Sequence, residues 1–322
     1  MVIAADPHAE TLFPGQPGSY EWSITAARDE TIRSISTSCG CSLPLTEGFK
    51  PFDLKENESR SVRLSYGNSL SGDYEVTVAA WGENRKEPIH KGAFVFGVRD
   101  ALVLQASPKE HPWGRLDLSE GAPGVWMGKR SFTRGPHPKP WAAISCKIAA
   151  NENQGWSATV SHEGNAVEFT AKLEPHGLCG IWSTKAIFSF QTVDGTALPY
   201  TPRLPLRALV PGPVEAQPRT AVIGTMESGT TTDSTVVIQP TAGWSARPAS
   251  VEQEVDADRA AIHATMSLPM DVSGPWTASL TVSALSNATP GKANGAVIVK
   301  FSDGTRLRVP FLVTIAPKLP VP

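Results

Sequence analysis

The sequence predicts an all-β protein built from three tandem immunoglobulin-like β-sandwich domains, and three observations lead there. Apolar and polar residues alternate with period two from end to end, helical periodicity is nearly absent, and one hairpin pattern returns after about 110 residues. That period is the size of one immunoglobulin-like sandwich and far longer than a solenoid repeat.

Each strand is justified by its alternation. In the first third Tyr20, Trp22 and Ile24 take every second place, as do Val62, Leu64 and Tyr66, then Tyr74, Val76 and Val78, then Phe94, Phe96 and Val98. The middle third supplies Val167, Phe169, Ala171 and Leu173, and later Leu204, Leu206, Ala208 and Val210. The last third supplies Trp276, Ala278, Leu280 and Val282, and then Leu307, Val309, Phe311, Val313 and Ile315. Such alternation puts one face of a strand on a core and the other in water. Asp194-Gly195 and Asp303-Gly304 sit between apolar runs and predict two-residue hairpin turns, because glycine tolerates positive φ. The 28 prolines break helices and blunt sheet edges. Only Val251–Met266 carries a run of helix formers; a single short helix there competes with the strand implied by Ile262, Ala264 and Met266.

The repeat is explicit at the domain ends. Phe188-Ser-Phe-Gln-Thr-Val-Asp-Gly-Thr leads into Leu204-Pro-Leu-Arg-Ala-Leu-Val, and Val297-Ile-Val-Lys-Phe-Ser-Asp-Gly-Thr leads into Val309-Pro-Phe-Leu-Val-Thr-Ile. Boundaries near Asp100 and within Pro211–Pro218 give domains 1–100, 101–212 and 213–322, the Pro-rich second stretch reading as a stiff spacer.

Composition narrows the function. The chain has 322 residues, a formal net charge of −2 and 19% charged residues, with its lysines and arginines scattered along the sequence. That scatter argues against a nucleic-acid-binding stripe. No apolar run approaches the ~18 residues that span a bilayer as a helix, so no transmembrane segment is expected. Met1–Asp6 lacks the basic and apolar regions of a signal peptide, which leaves a cytoplasmic protein or the mature form of an exported one.

Candidate chemistry is sparse. Cys39-Gly40-Cys41 offers two thiols for a soft metal, completed by His8, or for a strained and labile disulfide, against a plain structural role. Cys146 and Cys179 either form a disulfide worth roughly 3–4 kcal/mol or are two buried thiols. His137, Trp113, Trp126 and Trp141 lie in or near Pro-rich loops and suggest an aromatic binding surface, including sugar stacking, against an ordinary core role. Glu252, Glu254, Asp256 and Asp258 read as a solvated face, since no calcium-loop pattern accompanies them. Gly-x-Ser-x-Gly, His-Glu-x-x-His, the phosphate loop and Gly-x-Gly-x-x-Gly are all missing, so no catalytic residue and no cofactor are assigned.

Phe13-Pro-Gly-Gln-Pro-Gly-Ser-Tyr-Glu-Trp-Ser-Ile, followed by Ile32-Arg-Ser-Ile-Ser-Thr-Ser-Cys-Gly-Cys41, resembles the bacterial domain of unknown function DUF1573, a Hydin-type immunoglobulin-like sandwich. Gly72-Asp-Tyr-Glu-Val-Thr-Val looks like its late strand. The resemblance covers about residues 8–100; the later domains lack Cys-Gly-Cys, and Leu54-Lys-Glu-Asn-Glu-Ser stands where the family has Pro-Gly. It implies an exported or surface location, periplasmic or cell-surface, and no enzymatic activity. The expected function is a non-enzymatic extracytoplasmic structural or interaction protein whose partner is a protein or cell-surface component. The alternatives are metal or redox handling through Cys39 and Cys41, and a carbohydrate-binding module.

Overall fold

The computed structural model describes residues 6–38, 49–83, 86–149, 155–254, 261–269 and 274–316, and every regular element among them is a strand. The first eight are β1 (Asp6–Leu12), β2 (Gly18–Thr25), β3 (Glu30–Ile32), β4 (Ser34–Thr37), β5 (Phe52–Leu54), β6 (Ser59–Tyr66), β7 (Gly72–Trp81) and β8 (His90–Val98). They form a sheet in the order β1-β8-β7-β4 and the pairs β2-β6 and β3-β5. Trp22, Ile24, Leu64, Val78, Phe94 and Val98 share the core enclosed between them.

Eight more strands follow: β9 (Leu102–Leu104), β10 (Leu116–Ala122), β11 (Val125–Arg134), β12 (Ala143–Ile148), β13 (Trp156–Glu163), β14 (Ala166–Leu173), β15 (Leu178–Gln191) and β16 (Arg203–Val210). One layer is β13-β14-β11, with β9 on β11; the other is β16-β15-β12, and β10 pairs with both layers. The last eight are β17 (Val214–Gln217), β18 (Ala221–Glu227), β19 (Thr231–Pro240), β20 (Pro248–Glu254), β21 (Ile262–Ser267), β22 (Trp276–Ala284), β23 (Gly291–Phe301) and β24 (Arg306–Ala316). Here β17-β19-β22-β21 packs against β18-β24-β23-β20.

One topological feature occurs three times. An early strand pairs parallel with the last strand of its sandwich: β1 with β8, β10 with β16, and β18 with β24. Parallel neighbours need a long connection, and here the whole sandwich is that connection. The chain is therefore all-β, with immunoglobulin-like sandwiches in tandem.

The alternation is borne out in the burial. Val167, Phe169, Ala171 and Leu173 are fully enclosed, as are Leu204, Leu206 and Ala208, and Leu280 and Val282. The ends of the ambiguous Val251–Met266 stretch are strands β20 and β21, while residues 255–260 lie outside the described ones. Both Asp-Gly turns are hairpin connections, but with three residues rather than two. The Thr192 N–H donates to the Thr196 carbonyl at 2.9 Å and the Phe301 N–H to the Thr305 carbonyl at 2.8 Å. Gly195 and Gly304 hold φ of 81° and 88°, and each N–H donates back to the residue three before it. Asp194 and Asp303 accept from the backbone N–H two residues on, which fixes the turn.

The Pro-rich stretch differs from expectation. Val214–Gln217 is strand β17, paired with β19, and Val214 and Ala216 are buried. It belongs to the third sandwich, because its alternate apolar side chains stabilise it more in the core than an extended spacer would in water. The second core cluster runs without a break through the second and third sandwiches, and takes in Phe13 from the first.

Candidate functional site

Two joints hold most of the unusual side chains. At the first, Asp100 is 3% exposed rather than part of a loose linker. Its carboxylate accepts the Trp113 indole N–H at 2.8 Å, the Tyr200 hydroxyl, and the Ser71 hydroxyl at 3.3 Å. The Trp113 N–H also reaches the Tyr200 oxygen at 2.9 Å. A buried charge needs such donors, and these come from both sandwiches. Burial pushes the Tyr200 phenol far up, with the Asp100 carboxylate adding to it, so the hydroxyl stays protonated and donates.

Phe13 crosses the same joint. It is fully buried and stacks on His137, with ring centroids 3.6 Å apart, and on Tyr200 at 4.8 Å. His137 Nδ1 accepts the Lys139 N–H at 3.1 Å, which leaves the proton of the neutral ring on Nε2. Burial holds the imidazole down at about 4, and the nearby Lys139 cation adds to that. The Thr11 backbone opposes the shift, and the buried Nε2 has no hydrogen-bond partner among the described residues.

The expected aromatic binding surface is therefore corrected. Trp113, Trp126, Trp141 and His137 are 8%, 6%, 4% and 9% exposed. The Trp141 N–H donates to the Ala101 carbonyl at 3.2 Å, and the Arg134 guanidinium lies 4.2 Å from its ring. The loops fold the rings inward because large aromatic area is buried while each polar tip of Trp113 and Trp141 finds an acceptor.

The expected disulfide is also corrected. Cys146 and Cys179 are free thiols. Cys146 lies opposite Phe188 on β15, ~30 Å along that strand from Cys179 at ~3.3 Å per residue, and no bridge spans this. The Cys179 thiol donates to the Arg306 carbonyl at 3.3 Å, and burial pushes it up to about 11. Alkylation of the unfolded chain without reductant is expected to label both cysteines, while Cys179 stays unlabelled in the folded chain. A peptide map showing the two joined would overturn this. Cys39 and Cys41 lie outside the described residues, and among the described residues no group of His, Cys, Asp and Glu could hold a metal ion.

At the second joint the sheet continues from one sandwich into the next. Leu178, Cys179 and Gly180 of β15 pair parallel with Arg306, Leu307 and Arg308 of β24. Gly180 has φ of 111°, and a Cβ there would stand 2.5 Å from the Arg308 carbonyl, so only glycine allows this approach. Arg308 spans the joint: Nε and Nη2 donate to Glu254 at 2.7 and 3.2 Å, and Nη1 donates to the Ile181 carbonyl at 2.8 Å. The acidic run is thus not simply a solvated face. Glu254 is mostly buried with Arg308, Glu252 pairs with Lys300, and Asp256 and Asp258 lie outside the described residues.

Two clefts flank this joint. One, of about 420 Å³, is lined by Ile181, Leu209, Val214, Arg219 and Arg308. The other, of about 430 Å³, is lined by Trp126, Pro175, Cys179 and Pro213. The first combines apolar walls with two arginines that are each already paired with an acid, Arg219 with Glu215 of the same lining and Arg308 with Glu254. No helix among the described residues is long and apolar enough to cross a membrane.

No family model matches the chain, and no curated protein does. Among solved structures it is similar to the zebrafish RET cadherin-like domains 1 to 4, at 11% identity over 98% of this chain and 73% of that one, with a TM-score of 0.25. It is similar to a three-immunoglobulin-domain stretch of titin at 11% identity over 99% of this chain and 98% of that one, TM-score 0.22. A putative membrane-anchored protein from Corynebacterium diphtheriae is similar at 11% identity over 97% and 91% of the two chains, TM-score 0.25.

Proposed function

We propose that the chain is a non-enzymatic, extracytoplasmic spacer and interaction protein whose three sandwiches, 1–100, 101–212 and 213–322, are held in fixed series. The observation that carries this reading is the parallel pairing of β15 with β24, spanned by Arg308. Domains in one chain ordinarily move relative to each other unless their interface is large and apolar. Here movement at the second joint would expose a common core, and at the first it would unstack Phe13. A chain so joined transmits position from one end to the other, which is what a spacer does. The place outside the cytoplasm and the DUF1573 kinship of the first sandwich rest on the resemblance carried by residues 13–24, 32–41 and 72–78 and are part of the proposal. Small-angle X-ray scattering tests it. The native chain is expected to scatter as one rigid particle, and a Gly-Ser insertion after Gly212 to raise its radius of gyration and flexibility. Flexible-ensemble scattering from the native chain, unchanged by the insertion, would refute fixed joints.

A further inference from the structure

The lysines and arginines look scattered in the sequence, yet strand pairing gathers four of them on one face. Lys147 of β12 and Arg203 of β16 both stand opposite Ile187 of β15, one from each side. Lys185 lies one pleat away on the same face, and Arg207 stands opposite Ser183, one pleat further. Lys147, Lys185 and Arg203 are exposed and Arg207 is half-buried. At ~4.8 Å between strands and ~3.3 Å per residue the four span roughly 10 by 14 Å.

None of the four is in an ion pair among the described residues. The acid on this face, Asp117 opposite Arg207, is paired with Arg115. Ile187 separates Lys147 from Arg203, Pro205 faces Lys185 and Ser183 faces Arg207, while Ser145 and Ser189 form the row beyond Lys147 and Arg203. The next row, Ile181 and Leu209, opens into the cleft, whose arginines are paired, Arg219 with Glu215 and Arg308 with Glu254. A formal net charge of −2 makes this concentration a local feature rather than an average one.

We propose that this face binds a linear acidic polysaccharide, laid across β12, β15 and β16 toward the cleft. Guanidinium forks match carboxylate or sulfate oxygens, and the hydroxyls of Ser183 beside Arg207 and of Ser145 and Ser189 at the border suit a hydroxylated chain. Among the described residues no aromatic ring stands on the face, so it offers no platform for stacking neutral sugars or bases. Centres of protein interfaces are enriched in aromatics and depleted in lysine and serine, whereas this face has two lysines and three serines and, among the described residues, no aromatic ring; only its arginines match an interface. A bilayer would meet cations without an inserted apolar segment, one signal where stable anchoring takes two. The site shares no residue with the buried tryptophans and holds whether or not the joints are rigid.

Affinity electrophoresis of the full chain through gels containing polygalacturonate, with neutral dextran as control, tests this. Retardation by polygalacturonate and not by dextran is expected, with affinity falling about tenfold between about 50 and about 300 mM NaCl as screening tightens. Lys185→Ser with Arg203→Ser, and separately Lys147→Ser with Arg207→Ser, are each expected to weaken it about tenfold or more, as charge-assisted contacts are lost. Lys91→Ser with Lys109→Ser, the same charge change elsewhere, is expected to keep it. Equal loss in the control pair, or no loss in either face pair, would overturn the proposal. So would an absence of retardation, including the case where the chain pellets with phosphatidylglycerol vesicles instead.

Discussion

Arg308→Ala is expected to destabilise the joined second and third sandwiches by about 3–5 kcal/mol, read from urea unfolding. The guanidinium is 9% exposed and its partner Glu254 15%, so little water reaches either. Truncation leaves a carboxylate without its cation and the Ile181 carbonyl without its 2.8 Å donor. It also removes the cation 5.5 Å from the Trp182 ring. A buried ion pair need not stabilise relative to apolar residues of the same size, but removing one partner is costly. Arg308→Met combined with Glu254→Leu should therefore recover most of the loss. What remains, about 1–2 kcal/mol, is the orphaned Ile181 carbonyl. A cost below about 1 kcal/mol for the single alanine would show that water already reaches this joint.

Most strands were legible because they have one wet face, although β24 is buried on both faces from Leu307 to Phe311. Val167 to Leu173 alternates strictly, and every apolar member of it is buried. The Asp-Gly turns were legible in position but not in length, since a left-handed glycine serves a two-residue turn or a three-residue turn with a bulge equally well. The joints were not legible. Trp113 finds its acceptors on Asp100 and Tyr200, the latter far along the chain, and no local pattern announces such a partner. Phe13 stands beside Pro14-Gly15 with no alternating neighbours to mark it as core, because what it enters is the next sandwich. Arg308 occupies a polar place between Leu307 and Val309 and becomes buried only when β15 lies beside it. The basic face left a partial trace: Lys147, Lys185, Arg203 and Arg207 each take the outward place of a strand. Their convergence appears only once β12, β15 and β16 are paired in register.

Phe13→Ala is expected to cost about 3–5 kcal/mol and to free His137 to titrate near its ordinary value. Phe13 covers the imidazole face at 3.6 Å, and the burial it provides favours the neutral ring. His137 is held at about 4 in the folded chain, below the ordinary 6.5. The unfolded chain therefore binds a proton first as the pH falls. The stabilisation from the neutral ring is complete above about 6.5 and is lost progressively as the pH drops toward 4, by up to roughly 3 kcal/mol. In Phe13→Ala the ring is hydrated in both states, so this pH dependence should largely disappear. An NMR titration of His137, with unfolding measured at both ends of that window, separates the two effects. An unchanged His137 titration in the variant would mean that the enclosure comes from the second sandwich alone. A large stability loss with a shifted titration would mean that one phenylalanine both fastens the first joint and keeps its histidine neutral.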